Sequence, residues 1–568
     1  MNFTFRSFAC ISALIGFIAI PLASAQTRES LSEIKLKAEN GDDKAQFILG
    51  QAYYNGEGGV AKDTAKAVEW YIKSAEQNNV QALFNLGICY ENGNGVPKNA
   101  KKAVEYYRKA ANLDYPEAQN FLGDCYRIGI GVPVDMQEAV SWYSKAAALG
   151  FAGAQYNLGI MSLEKSNSKE AAEDAFQWFV KAALQGHAKA QYEMGNSYQS
   201  GRGVPKDDQK AAISFDKSAQ QGLAAAQNDL ALLYENGKGV QQDTIKATNL
   251  YRQAADQGLI IAIHNLGRCY LNGIGVTKNE QEGIRLLKQS SQEGLAMSQY
   301  LLGNCFLNGI GTSKNIGQAI ASYRSAAEQG LPLAQDKMGQ IYENGKSLQE
   351  KQEAVKYYRK AAEQGLDNAQ SHLGYCLYFG IGVAKDPEEA VKWFGKASEQ
   401  GHAGAQFNLG FCYFEGSGVP RNPEAAVSYF RKAAEQGKDS GQNYLGVCYY
   451  KGIGVAQNFE EAARWFTESA KQGLAIAQNN LGACFEYGQG VPKDEQQAVK
   501  LYDLSAKQGN PLGQFNLGSC YFRGIGVSQD LAKAEKYLRL SSSQGYEPAA
   551  KLLKEMPKQT KPKPKKKG

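Results

Sequence analysis

"NLGFCYFEGSGVP", Asn408 to Pro420, decides how this chain is read. Taken alone it suggests chemistry twice, since Gly416-Ser417-Gly418 looks like a phosphate-cradling turn and Cys412 stands just before it as a candidate thiol. The rest of the chain changes that reading, because the phrase keeps returning. "NLGICYENGNGVP" starts at Asn85, "NLGRCYLNGIGV" at Asn265, "NLGACFEYGQGVP" at Asn480 and "NLGSCYFRGIGV" at Asn516. The anchor glycine of the Leu-Gly pair falls at Gly50, Gly87, Gly123, Gly159 and Gly195, is replaced by Ala231, and continues at Gly267, Gly303, Gly339, Gly374, Gly410, Gly446, Gly482 and Gly518. These are fourteen units spaced by 36 residues, with one spacing of 37 and one of 35. A fixed period in this range marks a solenoid.

Each unit predicts two helices. In the eleventh, the stretch from Ala403 puts Leu409 and Tyr413 on one face, and the following glycines stop the helix. A second helix starts with Pro423 in its first turn and ends at Gly437, with Ala426, Tyr429, Phe430 and Ala433 as its apolar stripe. One helix pair cannot bury both its faces, whereas a stack of pairs forms a continuous core. The Gly-x-Gly element therefore has a structural explanation, as the turn between helices in twelve of the fourteen units. The fourth unit has "EKSNSKEAAED" in its place and the ninth has "NGKSLQEKQEA". A phosphate loop would occur once, between a strand and a helix, and no strand precedes these turns.

The pattern Ala-x-x-x-Leu-Gly-x-x-Tyr-x-x-Gly-x-Gly-Val, followed by Ala-x-x-(Trp/Tyr)-(Tyr/Phe)-x-x-Ala-Ala-x-x-Gly, resembles the Sel1-like repeat family, a relative of the tetratricopeptide repeats. "AKAVEWYIKSAEQ" from Ala65, "AVSWYSKAAALG" from Ala139 and "AARWFTESAKQG" from Ala462 carry it, and the resemblance covers about residue 31 to residue 556. It implies an all-α fold, a right-handed α-α superhelical solenoid of about fourteen Sel1-like helix-turn-helix repeats, and a role as a binding scaffold or adaptor rather than an enzyme. Cysteine-rich members of the family staple each unit with two cysteines. Here each unit has at most one, so their β-lactam link does not carry over.

Bulk properties agree with a folded array. The 568 residues are 43% hydrophobic and 21% charged, with 61 Gly but only 15 Pro, which excludes collagen-like and disordered classes. Residues 1–25 combine Arg6, an apolar run from Phe8 to Ile20, Pro21 and Ala23-Ser24-Ala25, the pattern of a cleavable signal peptide. The expected product is periplasmic or secreted, with no transmembrane segment. Residues 26–556 are expected to form the solenoid and residues 557–568 a basic, disordered Lys/Pro tail. The net charge of +6 is concentrated in that tail, where Lys561, Lys563, Lys565, Lys566 and Lys567 are candidates for contact with an anionic envelope surface.

No catalytic, cofactor-binding or metal-binding set converges. Nine cysteines, Cys89, Cys125, Cys269, Cys305, Cys376, Cys412, Cys448, Cys484 and Cys520, stand two residues after the anchor glycine, where other units carry Ala52, Met161, Ser197, Leu233 and Ile341. That interchange predicts a buried packing slot, and equivalent slots about 10 Å apart are too far to bridge. His187, His264, His372 and His402 lie in widely separated units. Ser32-x-x-Lys35 and Ser162-x-x-Lys165 match the penicillin-recognising serine pattern without its companion motifs.

If the first helix of each unit lines a concave surface, as in the related repeats, positions three before and one, four and five after the anchor face a ligand. Mid-array these are mixed, Asn228, Leu232, Glu235 and Asn236, then His264, Arg268, Leu271 and Asn272; later they turn aromatic, at Tyr375, Tyr378, Phe379, Phe407, Phe411, Phe414 and Tyr450. Aromatic side chains in a groove anchor extended peptides. The alternative is that these rings are buried between units. The expected function is an exported protein-protein interaction scaffold binding a protein or peptide on its concave face. The alternatives are an envelope-polymer-associated factor held by its basic tail, and a host-interaction effector.

Overall fold

A computed structural model describes residues 30–556. The expected signal peptide and the expected Lys/Pro tail both lie outside the described residues. All regular structure among those residues is helical, and it divides into two compact units at Leu286 and Leu287. The first unit opens with a short helix, Leu31–Glu39, and continues with the helix pairs of the first six repeats and the beginning of the seventh. The second holds the remainder of the seventh, repeats eight to fourteen and a closing helix, Glu547–Glu555.

Within a repeat the local signals work as the sequence predicts. In the eleventh, Ala403–Glu415 is terminated by Gly416 in the left-handed region at φ 76°, whose N–H bonds to the Cys412 carbonyl. The second helix, Pro423–Glu435, starts behind Asn422, whose side chain accepts from the Ala425 N–H at 2.9 Å. The two exceptional turns find other solutions. The fourth repeat extends its first helix to Lys165 and restarts at Ser168, and in the ninth Ser347 and Glu350 form a reciprocal capping box ahead of Leu348–Glu363.

The anchor glycine is explained by what lies on it. A Cβ at Gly410 would stand 2.8 Å from the Phe430 ring, and one at Gly446 would stand 2.7 Å from Phe466. The ring of the second helix thus lies flat on the backbone of the first, and Tyr107, Tyr143, Phe215 and Phe430 are fully buried there. Glutamines reinforce the stack. Gln442 donates to the Ala434 carbonyl of the preceding repeat at 3.3 Å and accepts from Gln472 at 2.8 Å, and the same arrangement recurs at Gln406 with Gln436 and at Gln514 with Gln544.

Candidate functional site

Three of the seven residues of the aromatic run stand at one position above the core, four after the anchor. Where the second helix lays a tyrosine on the anchor position, the buried hydroxyl needs an acceptor, which in four of the seven such repeats is a carboxylate four after the anchor and at Tyr143 and Tyr323 is the residue one after it, Asp124 and Asn304. Tyr107 donates to Glu91 at 2.6 Å, Tyr251 to Glu235 at 2.8 Å, Tyr358 to Glu343 at 2.6 Å and Tyr502 to Glu486 at 2.7 Å. In repeats ten to twelve the stacked ring is phenylalanine, Phe394, Phe430 or Phe466, and no hydroxyl asks for a partner. The same position there holds Tyr378, Phe414 and Tyr450. Phe414 lies 6.1 Å from Phe430 and Tyr450 lies 6.4 Å from Phe466, so these rings cover the apolar stack where a carboxylate would be stranded.

The position three before the anchor corrects an expectation. At several junctions it is an inter-repeat position, its members held by the residue two before the next anchor. Asn157 donates to Asn120, Asn265 to Asn228, Asn480 to Asn443 and Asn516 to Asn479, at 2.8 to 3.0 Å, and His372 meets Asp336 at 2.8 Å. Asn228 and Asn443 are accordingly buried. Phe407 belongs to this ladder. Its partner is Tyr444, edge-on at 5.5 Å, an aromatic pair where other junctions use an amide pair. Between repeats ten and eleven the facing residues are Ser371 and Asn408, and no hydrogen bond joins them.

A recess of about 220 Å³ opens at that junction, lined by Tyr375, Tyr378, Phe379, Phe394, Phe407, Asn408, Phe411, Cys412 and Tyr444. Tyr375 and Phe379 are 4.6 Å apart and stay 42% and 56% exposed. Tyr378 leans on Phe411 at 6.4 Å, and Phe411 meets Tyr444 edge-on at 5.6 Å. Six of the seven aromatic residues chosen from the sequence therefore form one cluster. Tyr450 stands apart, packed on Phe459 at 5.2 Å with its hydroxyl bonded to Gln489. Tyr444 and Asn408 join the site instead. Tyr375, Phe379 and Phe411 are the rings that neither the ladder nor the stacked core accounts for.

Elsewhere the titratable groups serve the stack. The nine repeat cysteines are buried and unbridged, and burial pushes the thiols of Cys412 and Cys89 up to about 12. His187 and His402 cap helices, accepting from the Ala190 and Ala405 N–H groups at 3.2 and 2.9 Å. Burial, with Arg268 beside it, pushes His264 down to about 4. The mixed mid-array positions pair across repeats, as Arg268 holds both carboxylate oxygens of Glu235 at 2.7 and 2.6 Å. Burial raises that carboxyl, and the bonds from Arg268 and Tyr251 outweigh it and hold it below its ordinary range. Ser162 bonds to Asp174 and to the Leu158 carbonyl.

The chain is 41% identical over 56 residues to HRD3A, an ERAD-associated E3 ubiquitin-protein ligase component of Arabidopsis thaliana, a match covering 10% of this chain and 8% of that protein. It thus spans under a tenth of that relative's length. Among solved structures it is similar to c5321, a protective antigen of uropathogenic Escherichia coli with an SLR fold, at 30% identity over 95% of this chain and all of the other, with a TM-score of 0.39. A Sel1 repeat protein of Oxalobacter formigenes matches at 25% identity over 70% of this chain and 92% of its own, with a TM-score of 0.34. The Sel1 repeat family model matches fourteen consecutive segments from residue 43 to residue 546, in register with the helix pairs. The stacked rings, the glycine anchors and the inter-repeat ladder are thus the build of a Sel1 repeat array, and the chain belongs to the Sel1 repeat family.

Proposed function

We propose that this chain is a non-enzymatic, exported scaffold that takes an apolar side chain of a protein partner into the recess of repeats ten to twelve. Sel1 repeat proteins are generally protein-protein interaction scaffolds. The observation that carries the reading is the exposure of Tyr375 and Phe379 at the mouth of an apolar recess, at positions where the fold requires no ring. The recess exceeds the roughly 150 Å³ of an apolar cavity that admits benzene and falls short of the roughly 300 Å³ of a small-molecule site, so it suits one large side chain. The unbonded amide of Asn408 adds a donor and an acceptor beside it, the pair a peptide backbone needs. Export rests on the signal-like pattern of residues 1–25.

The test is capture from the native host's envelope by the wild type and by a Tyr375→Ala, Phe379→Ala variant. Both side chains are largely exposed, so helicity and melting temperature should hold. Captured species should fall at least tenfold, the loss of about 1.4 kcal/mol or more expected when an anchoring site is truncated. Undiminished capture by the folded variant refutes the site.

A further inference from the structure

Charges around the recess have a pattern of their own. At the position two before the anchor, the fourteen repeats carry a lysine only at Lys337, in the ninth. At the position five after it, where six repeats carry asparagine, the basic residues are Lys451, in the twelfth, and Arg523, in the last. The fold therefore requires a cation at neither place. Lys337 lies one repeat before Tyr375 and Phe379, and Lys451 one repeat after Phe411, so the two stand on either side of the recess. Neither forms an ion pair among the described residues, and Lys337 donates only to Gln340 Oε1, at 3.0 Å. On the second helices of the same two repeats, Lys356 and Lys471 do have carboxylate partners, Glu353 at 2.6 Å and Glu468 at 2.7 Å.

The carboxylates nearby do not cancel these charges. Asp336 is buried, accepting from Gln340 at 2.7 Å and meeting His372 at 2.8 Å. Glu343 accepts from Tyr358. Lys385 adds a third cation, over the Tyr378 ring at 5.8 Å, and Asp386 beside it accepts from the Glu389 N–H at 2.9 Å as a helix cap. At the recess itself the exposed carboxylate is Glu415, close enough to Tyr444 to raise that phenol after burial has done so. An apolar recess thus sits in a rim where Lys337, Lys385 and Lys451 outnumber Glu415, a field that favours an acidic partner over a basic one.

We infer that the partner enters the recess with an extended acidic segment, one large apolar side chain in the recess and a carboxylate three to five residues away on each side, facing Lys337 and Lys451. This rests on the recess being the partner site and adds the chemistry of what enters it. Spacing supports an extended chain. Repeats about 10 Å apart put each lysine's helix about 15 Å from the middle of the recess, which is four or five residues at about 3.3 Å each, less what the two side chains span. A helical segment, rising about 1.5 Å per residue, would need its acids about ten residues away.

The test is selection from a library of random peptides of about twelve residues, displayed on phage, at about 50 mM salt, where rim charges are little screened. The targets are the full-length wild type, a Lys337→Gln, Lys451→Gln variant and a Tyr375→Ala, Phe379→Ala variant, whose melting temperatures should match. The wild type should enrich peptides with a central Phe, Trp, Leu or Met and Asp or Glu three to five residues to each side. The lysine variant should keep the central residue and lose the spaced acids; the recess variant should enrich neither. A synthetic copy of an enriched peptide should bind the lysine variant roughly threefold to tenfold more weakly than the wild type, and added salt should close the gap. Central apolar residues without spaced acids, or spaced acids that the lysine variant retains, overturn the inference and leave the proposed function standing. The whole spaced pattern surviving in the recess variant removes both. No pattern on the wild type overturns the inference alone if partner capture still depends on Tyr375 and Phe379.

Discussion

Changing Phe430 to Tyr tests whether the buried hydroxyl sets the identity of the residue above it. The ring lies on Gly410, fully buried, and its new hydroxyl would point where Tyr502 meets Glu486 at 2.7 Å two repeats later. In the eleventh repeat that place is taken by the Phe414 ring, 6.1 Å away centre to centre, which offers no acceptor. Leaving a hydroxyl unpaired in such a site costs about 1–3 kcal/mol. Phe414→Glu alone is also unfavourable, because it sets a carboxylate over Phe430 and removes the edge contact with Tyr444 at 6.0 Å. Together the two changes recreate the Tyr-Glu pair, so their combined cost should fall below the sum by about 1–3 kcal/mol. An array of repeats does not unfold in two states, so the readout is hydrogen exchange of amides in Ala403–Glu435. A cost of about 2 kcal/mol speeds local exchange roughly thirtyfold in Phe430→Tyr, and most of that should be recovered in the double variant. Additive effects, or wild-type exchange in Phe430→Tyr, would refute the pairing rule.

Three further outcomes follow from the same geometry. Gly418→Ala and Gly437→Ala both place alanine at positive φ, 73° and 82°, which costs about 1–2 kcal/mol; only the first drives a Cβ into the Pro387 carbonyl of the preceding repeat, so its loss in thermal denaturation should be at least twice as large. The nine repeat thiols, buried and pushed to about 11 or 12 where a value is resolved, should take up no alkylating reagent in native protein at pH 8 and all nine should react in denaturant, as read by intact mass. His264, pushed down to about 4, should titrate near that value by NMR; because its folded value lies below the unfolded one near 6.5, it stabilises the fold above about pH 6.5 and that contribution is lost as pH falls toward 4, a loss that His264→Asn should remove.

The repeat, its two helices and the cysteine slot were legible because each is a local pattern repeated along one chain. Leu409, Cys412 and Gly416 do in one unit what Leu445, Cys448 and Gly452 do in the next, and comparison filters out accidents. The site was only half legible, because its geometry depends on residues about 37 positions apart. Nothing beside Tyr444 announces that it faces Phe407, and nothing beside Asn408 announces that Ser371 leaves it unbonded; only the amide pairs at equivalent junctions reveal the rule. A signal was nevertheless present. Phenylalanine in place of tyrosine at 394, 430 and 466 coincides with loss of the acid at 378, 414 and 450, which separates rings that close the core from rings that do not.

That separation bears on how such an array acquires a binding face. A repeat whose stacked tyrosine bonds to the carboxylate four after the anchor, as Tyr107, Tyr251, Tyr358 and Tyr502 do, strands a buried hydroxyl at a cost of about 1–3 kcal/mol if that carboxylate is removed. Replacing the stacked tyrosine by phenylalanine lifts that requirement and frees the edge position for any residue the surface needs. In repeats ten to twelve these positions hold aromatic residues, and Tyr375, Phe379 and Phe411 meet rings of their own kind beside Tyr378 in a continuous apolar surface. The same pairing predicts what would erase it. Restoring Tyr at 394 with Glu at 378 should leave the tenth repeat folded, its hydroxyl satisfied as in Tyr358 with Glu343, while setting a carboxylate inside the recess. Partner capture should then fall with the fold intact. If it persisted, the recess would be a consequence of core chemistry alone.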